Sequence, residues 1–366
     1  MDRIIATYRL RADAASIAAR AQAIAVEQSV EMPVAAIYDR FVLDEVVGRV
    51  EDIADAGDGR FDVRIALAAS TTGHEPGQLM NMLFGNASIL DDVELRDAAF
   101  PEAMARGFGG PHHGLAGLRA MVGAGRRALT CSALKPQGLP PEGLARVAAA
   151  LARGRIDFIK DDHGLADQDY SPFARRVEAC AAAIREAAAQ AGARTRYAPS
   201  VTGSLDAMRR QVRCAIDNGV DMVLVAPMVV GVPSFHAIVR EFPAMAFMAH
   251  PAMAGAARIA PPLLIGRLFR MLGADATVFP NHGGRFGYSQ ETCRALARAA
   301  LDPDRGLRAT VPVPAGGMTT ERVPEMLAFY GADVMLLVGG ALLSARERLA
   351  EEAARFTHSV AEHAHG

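Results

Sequence analysis

The hydrophobic pattern changes rhythm at about Ala128. From there on, short apolar runs alternate with longer stretches of helical periodicity. The runs are Ala128–Leu134, Ile156–Ile159, Thr195–Pro199, Met222–Ala226, Ala246–Ala249, Thr277–Pro280, Ala309–Val313 and Val334–Val338. Helical patterns fall over Pro141–Arg153, Pro172–Ala191, Ser204–Asn218, Pro261–Leu272, Ser289–Ala300, Thr320–Tyr330 and Ala341–Phe356. The weakest helix lies between Val230 and Phe242, where Gly231 and Pro233 interrupt its start. Eight strands alternating with helices predict a (β/α)8 barrel. A doubly wound open sheet is the alternative. The strand count and the lack of a GxGxxG after the first strand argue against it.

The earlier part reads as α+β. Ile4–Leu10 is a strand with partial alternation, and Phe61–Leu67 and Val93–Arg96 are two more. Ala14–Ala25 is an Ala-rich helix with Asp13 as its expected N-cap. Gln78–Gly85 is a short apolar helix closed by Gly85-Asn86. The run GFGGPHHG, Gly107 to Gly114, breaks any element. The expected division is therefore an N-terminal α+β domain over 1–120 and a barrel over 121–366.

In a barrel the chemistry collects at the C-terminal ends of the strands. The second apolar run ends in Lys160, Asp161, Asp162 and His163, groups that a core tolerates only when paired or ligated. The first ends at Lys135, Pro136 and Gln137, the fifth at His250, and the sixth in Asn281, His282, Gly283, Gly284 and Arg285. The seventh and eighth end in Gly316-Gly317 and Gly339-Gly340, and glycine loops at these two places suit a phosphate group.

Composition sharpens the first of these. The chain has 39 Lys plus Arg, yet Lys135 and Lys160 are the only lysines. Arginine keeps its proton, whereas a lysine amine can lose one. Both lysines fall on the expected rim, with three of the ten histidines. Lys135 as acid/base beside an Asp, Lys and His cluster suits proton transfer next to a carbonyl, with a metal holding an enediolate.

The hydrophobic fraction of 51% is ample for a large core, and the net charge of −2 and the absence of Trp give no sign of a nucleic-acid partner. The cysteines, Cys131, Cys180, Cys214 and Cys293, are scattered and form no CxxC pair. No apolar run is long enough to span a membrane and the N-terminus has no signal-like core, so the expected location is the cytoplasm.

The motifs, in order, resemble those of the RuBisCO large-chain superfamily over nearly the whole chain. IDFIKDDH is similar to its metal motif, which implies Mg2+ held by a carbamylated Lys160, Asp162 and His163. SALKPQGL resembles the motif of the proton-handling lysine, here Lys135; MAHPA and NHGG put His250 and His282 at the two active-site histidines. AGG and VGG match the phosphate loops; NMLFGN and AIAVEQS imply that Asn86 and Glu27 reach the site of a neighbouring subunit. Gln137 and Arg285 stand where further substrate contacts are expected. The resemblance implies a homodimer or higher homo-oligomer acting on a phosphorylated small molecule, with no small subunit indicated.

Departures bear on the reaction. Carboxylases in this family need a mobile-loop lysine after the sixth strand, and no lysine follows Lys160 here. The arginine expected after His250 is Pro251, which points to a substrate with one phosphate. The last acidic ligand is His163, so two arrangements stay open: Mg2+ on carbamylated Lys160, Asp162 and either Asp161 or water, or an unmodified Lys160 that acts as a charge or proton carrier. The expected enzyme is thus a RuBisCO-like protein. The first expectation is a decarboxylase or transcarboxylase/hydrolase of 3-oxo-isoapionate 4-phosphate. The alternatives are a methionine-salvage enolase or isomerase of a methylthio-ketose 1-phosphate, and a binding protein with a degraded site.

Overall fold

A computed structural model describes residues 2–303 and 306–363. The chain forms two compact units: Met1–Gly109 with Met253–Leu264, and Gly110–Ala252 with Ile265–Gly366.

The first unit is an antiparallel sheet with helices. Its strands are β1 (Arg3–Arg11), β2 (Arg49–Gly57), β3 (Arg60–Ala68) and β4 (Val93–Ala99), in the order β2-β3-β1-β4. In β1 the alternation is complete: Ile4, Ala6, Tyr8 and Leu10 are all buried. Helix α1 (Ile17–Glu27) packs on β2 and β3. The Tyr8 hydroxyl donates to the Leu83 carbonyl of helix α2 (Pro76–Phe84) at 2.6 Å. Strand β2 carries no sequence signal, because most of its residues are exposed on both faces. Asp13 does not cap α1. The helix starts after Ser16, and Asp13 Oδ1 instead accepts the Ser16 N–H at 2.7 Å in the turn before it.

The second unit is the barrel. Its strands are β5 (Leu129–Leu134), β6 (Phe158–Asp161), β7 (Arg196–Ala198), β8 (Met222–Val225), β9 (Ala246–Ala249), β10 (Ala276–Pro280), β11 (Val311–Ala315) and β12 (Met335–Leu337). They pair in parallel as β12-β5-β6-β7 and β11-β10-β9-β8. The halves meet where Val201 N donates to Leu224 O at 2.8 Å and Leu224 N to Pro199 O at 2.9 Å, and where β11 lies alongside β12. All eight strands contribute to one interior cluster, with pairs two residues apart such as Leu129/Cys131, Met222/Leu224, Ala246/Met248 and Val311/Val313. That spacing is the inward face of a closed sheet. The helix expected over Ala341–Phe356 is in fact two, Gly340–Leu343 and Leu349–Glu362.

Candidate active site

The inward rows of β5 and β6 lead directly to the lysines. Cys131 lies beside Phe158 in the barrel core, and two residues further on Ala133 pairs with Lys160. Lys135 is the next inward position after Ala133, just beyond the strand. The strand β6 ends two residues later than its apolar run, so Lys160 and Asp161 belong to it. Parity then separates them: Lys160 faces in and Asp161 faces out.

Asp161 is fully buried and already saturated. Its Oδ1 accepts the Tyr197 hydroxyl at 2.7 Å; Oδ2 accepts Arg176 Nε at 3.0 Å and Ser200 N at 3.0 Å. Arg176, fully buried in the helix Phe173–Ala191, also donates to Ser171 O and Ala166 O, each at 2.7 Å. Burial pushes the Asp161 carboxyl up, and the Arg176 charge opposes that shift. This network ties the loop after β6 to its strand. It also removes Asp161 from the candidate metal ligands, because both oxygens are spent on protein donors.

Lys160 is 3% exposed, and its Nζ donates to the Asp161 carbonyl oxygen at 2.9 Å. Burial lowers its pKa, favouring the neutral amine. Lys135 Nζ contacts Asp162 Oδ1 at 2.7 Å, and His163 Nδ1 lies 3.4 Å from the same oxygen. Burial pushes Asp162 up, but the bonds from His163 and Lys135 and the Lys160 charge outweigh it and hold the carboxyl below its ordinary range. The His163 and His250 rings stack at 4.2 Å, 10° from parallel. Burial, with the Lys160 charge second, pushes His250 down to about 2. Its Nδ1 accepts the Ala252 N–H at 3.1 Å, which leaves the proton of the neutral ring on Nε2.

Beside this cluster lies a cavity of about 330 Å³ whose lining includes Lys135, Arg285, Gly316, Gly317, Gly339 and Gly340. Two of its glycines have a structural reason. Gly316 and Gly317 adopt φ of 85° and 80°, and a Cβ on Gly317 would fall 2.9 Å from Gly284 Cα. Gly340 is different. A Cβ there would meet nothing within 4 Å, and its φ is not positive. Packing does not demand a glycine at that point; it leaves bare backbone facing the cavity.

Of the other expected residues, one lies elsewhere on the barrel and two belong to the first unit. The His282 ring packs on Phe329 at 4.5 Å and near Tyr330 rather than on Lys160 or His250, and its Nε2 is buried without a partner. Glu27 and Asn86 belong to the first unit, where Asn86 Nδ2 donates to Glu27 Oε1 at 2.8 Å and to Glu31 Oε1 at 3.0 Å. Gln28 holds that loop by accepting the Ala87 N–H at 3.1 Å and donating to Met82 O at 2.8 Å. Glu31, the third member of this cluster, lies beyond the end of α1 with φ of 53°, so no helical spacing marks it in the sequence. Gln137 abuts Gly164, where a Cβ would collide with its side-chain amide.

Among the described residues no group of three His, Cys, Asp or Glu is disposed to hold a metal. As unmodified side chains, Lys160, Lys135, Asp162 and His163 offer one carboxylate against two amines, which does not suit Mg2+. A carbamate on Lys160 would add a negative charge and two oxygen donors to the site. The donor set fits a divalent cation only in that form.

Residues 114–295 match the family model described as ribulose bisphosphate carboxylase large chain, catalytic domain. The chain is 61% identical to a 5-methylthioribulose-1-phosphate isomerase of Rhodospirillum rubrum, over 98% of this chain and 96% of that one. It is 32% identical to a 2,3-diketo-5-methylthiopentyl-1-phosphate enolase of Geobacillus kaustophilus, over 76% of this chain and 70% of that one. The crystal structure of a Rubisco-like protein from Rhodopseudomonas palustris superposes with a TM-score of 0.93 at 56% identity, covering 99% of this chain and 98% of the other. A first unit of α+β type, a (β/α)8 barrel and a lysine-bearing rim are thus found together in a chain that matches the Rhodospirillum rubrum isomerase and the Rhodopseudomonas palustris structure over nearly its whole length, and it belongs to the RuBisCO large-chain family as a RuBisCO-like protein.

Proposed function

We propose that this protein is an enzyme that isomerises 5-methylthioribulose 1-phosphate or a close ketose phosphate through an enediolate. The observation that carries the reading is the position of Lys135. Its amine touches Asp162 and also borders the glycine-lined cavity. A substrate with its phosphate in that cavity would present its carbonyl end to the lysine. The likeness to the Rhodospirillum rubrum isomerase supplies the substrate class. It favours this alternative over the oxo-isoapionate phosphate expected first from the sequence, and an isomerase over a lyase or hydrolase.

In the proposed reaction Lys135 takes a proton from a carbon next to the carbonyl and a proton returns to a different carbon. Atoms and electrons balance without oxidant or reductant. The phosphate is held by Arg285 and by backbone N–H groups of Gly316, Gly317, Gly339 and Gly340. His250, neutral and protonated on Nε2, donates to the oxyanion that develops. Lys160 as a carbamate, with Asp162 and His163, would hold Mg2+, which would polarise the carbonyl when bound. His282 is assigned no step.

Glu27 and Asn86 are proposed to complete the site of a second copy in a homodimer. They form an exposed polar cluster flanked by Met32, Ile89 and Leu90, large apolar side chains at 41%, 80% and 42% exposure. Such a rim is what a subunit contact would cover.

The test is incubation with 5-methylthioribulose 1-phosphate in D2O, followed by proton and phosphorus NMR. An isomeric ketose phosphate carrying solvent deuterium is expected. No conversion, with ready enolisation of 2,3-diketo-5-methylthiopentyl 1-phosphate, would transfer the protein to the enolase group.

A further inference from the structure

The barrel has a second cavity at the opposite ends of its strands. Arg127 precedes β5, Asp157 precedes β6 and Thr195 precedes β7, and all three line a space of about 630 Å³. The helix Leu349–Glu362 forms another wall with Ala354, Thr357, His358 and Ala361. These positions share one helix face, and their side chains are mostly small. The space is of a size that takes a nucleotide-scale ligand.

Its charge is uneven. Asp157 is the only acid in the lining, and it is already neutralised: Arg127 binds it through two nitrogens at 2.6 Å each, and Thr130 donates to it from N and Oγ1 at 2.9 Å. Two further arginines have no carboxylate. Arg155 donates only to the Gly192 carbonyl at 3.5 Å, and Arg194 has no hydrogen bond or ion pair among the described residues. His358 sits by Glu362 at 3.1 Å, at an exposed edge. The lining therefore carries two solvent-exposed guanidiniums with no carboxylate partner among the described residues, in a chain whose net charge is −2.

The backbone holds one of them in an unfavoured shape. Arg155 has φ of 62°, the left-handed position that ends a helix and normally takes glycine. The glycine is one residue early. A Cβ on Gly154 would fall 2.3 Å from Ala353 Cβ, so Gly154 serves the contact with the last helix and Arg155 carries the left-handed turn. Asparagine or glycine would fit that turn more easily; the arginine's one hydrogen bond among the described residues is long, 3.5 Å to the carbonyl of Gly192, which caps the helix Phe173–Ala191.

We propose that this cavity binds a polyphosphate group, with Arg155 and Arg194 as its cationic partners, at a site separate from the glycine-lined cavity. Guanidinium forks without protein carboxylates suit phosphate oxygens. The group could arrive as inorganic pyrophosphate or as the tail of a nucleotide whose remaining atoms lie along the Val122, Ile156 and Ala193 wall.

The test is calorimetric titration of the full-length Arg285→Ala protein, in which the other cavity lacks its arginine, with pyrophosphate and separately with ATP, in low salt. Adding Arg155→Gly and Arg194→Ala should weaken binding at least tenfold. Arg155→Gly relieves the left-handed strain, so the melting temperature should hold or rise and lost binding cannot be assigned to unfolding. In the otherwise native chain the same two changes should leave turnover without polyanion unaltered. Tighter binding of ATP than of pyrophosphate identifies a nucleotide site, and equal binding a site for the polyphosphate alone. Titration curves that superimpose with and without the two arginines, or no binding to either protein, would overturn the proposal.

Discussion

His163 and His250 lie ring on ring, 4.2 Å apart, above a single carboxylate, Asp162. One ring comes from the loop after β6 and the other from the end of β9. The stack fixes His163 where a carboxylate ligand was expected from the family pattern. It also covers one face of the half-buried His250, whose neutral form the proposed reaction uses.

Acid should therefore loosen the protein before ordinary acid unfolding. His250 falls to about 2 when folded, from about 6.5 when free. Its contribution is whole above the free value and is lost progressively as pH falls from there toward the folded value. Asp162, also held below its ordinary range, works in the same direction at lower pH. Melting temperature in metal-free buffer should drop between pH 7 and pH 5, at up to about 1 kcal/mol per pH unit. The slope should flatten in His250→Asn. An unchanged slope in that variant would sink the assignment.

Lys135→Ala should lower kcat by at least about 100-fold, the range for a lost acid/base group. Lys135→Arg should not restore it, because a guanidinium keeps its proton. Circular dichroism should show both variants folded. Recovery of activity by arginine would mean that Lys135 supplies only charge.

The neutral tendency of Lys160 predicts reaction with carbon dioxide. Protein equilibrated with 13C-labelled bicarbonate and Mg2+ should show a carbamate carbon signal by NMR. The signal should persist in Lys135→Ala and vanish in Lys160→Ala. Full activity of the protein without any such signal would favour the unmodified lysine.

Breaking the Arg176–Asp161 pair should cost stability before it costs chemistry. Arg176→Met leaves a buried carboxylate without its cation, a loss of about 3–5 kcal/mol. Urea denaturation should show the loss, and adding Asp161→Asn should recover part of it. If the double variant is no more stable than the single one, the pair is not the source.

The glycines should divide by cause. Gly284→Ala puts a Cβ 1.9 Å from Gly316 O and should cost about 2 kcal/mol in stability. Gly340→Ala meets no atom within 4 Å. It should leave the melting temperature alone and raise KM for a phosphorylated substrate. Equal KM in Gly340→Ala and the parent would argue against backbone contact with phosphate there.

Much of this architecture was legible because barrels write themselves in alternating runs. Each apolar run marks a strand, and the polar ends of the first, second, fifth and sixth runs mark the rim. Lys135, Lys160 and His250 follow from those ends, and the structure gathers them around Asp162. Parity within β6 was less visible: the run Lys160-Asp161-Asp162 gives no sign that the middle residue turns outward to Arg176, a partner on the following helix. His282 also follows its strand as expected, but whether its ring joins the cluster or packs on Phe329 depends on a helix far along the chain. Strand β2 is too exposed to carry a hydrophobic signal. Nothing local distinguishes Arg155 from any helix-ending arginine; its left-handed turn follows from a contact that Gly154 makes with the last helix.

The segment Met253–Leu264 belongs to the first unit although the barrel surrounds it in sequence. Within that unit it lies along the outer edge of β4: Leu95 N donates to Arg258 O at 2.9 Å, and Ala260 N to Leu95 O at 2.8 Å. A gene fragment ending at residue 109 would thus encode a sheet with β4 bare, an edge open to pairing with other chains. Recombination that exchanged the first hundred residues between relatives would face the same barrier. The first unit is therefore complete only when the chain of the second is present, because a short excursion from the barrel sequence supplies its last strand-like neighbour.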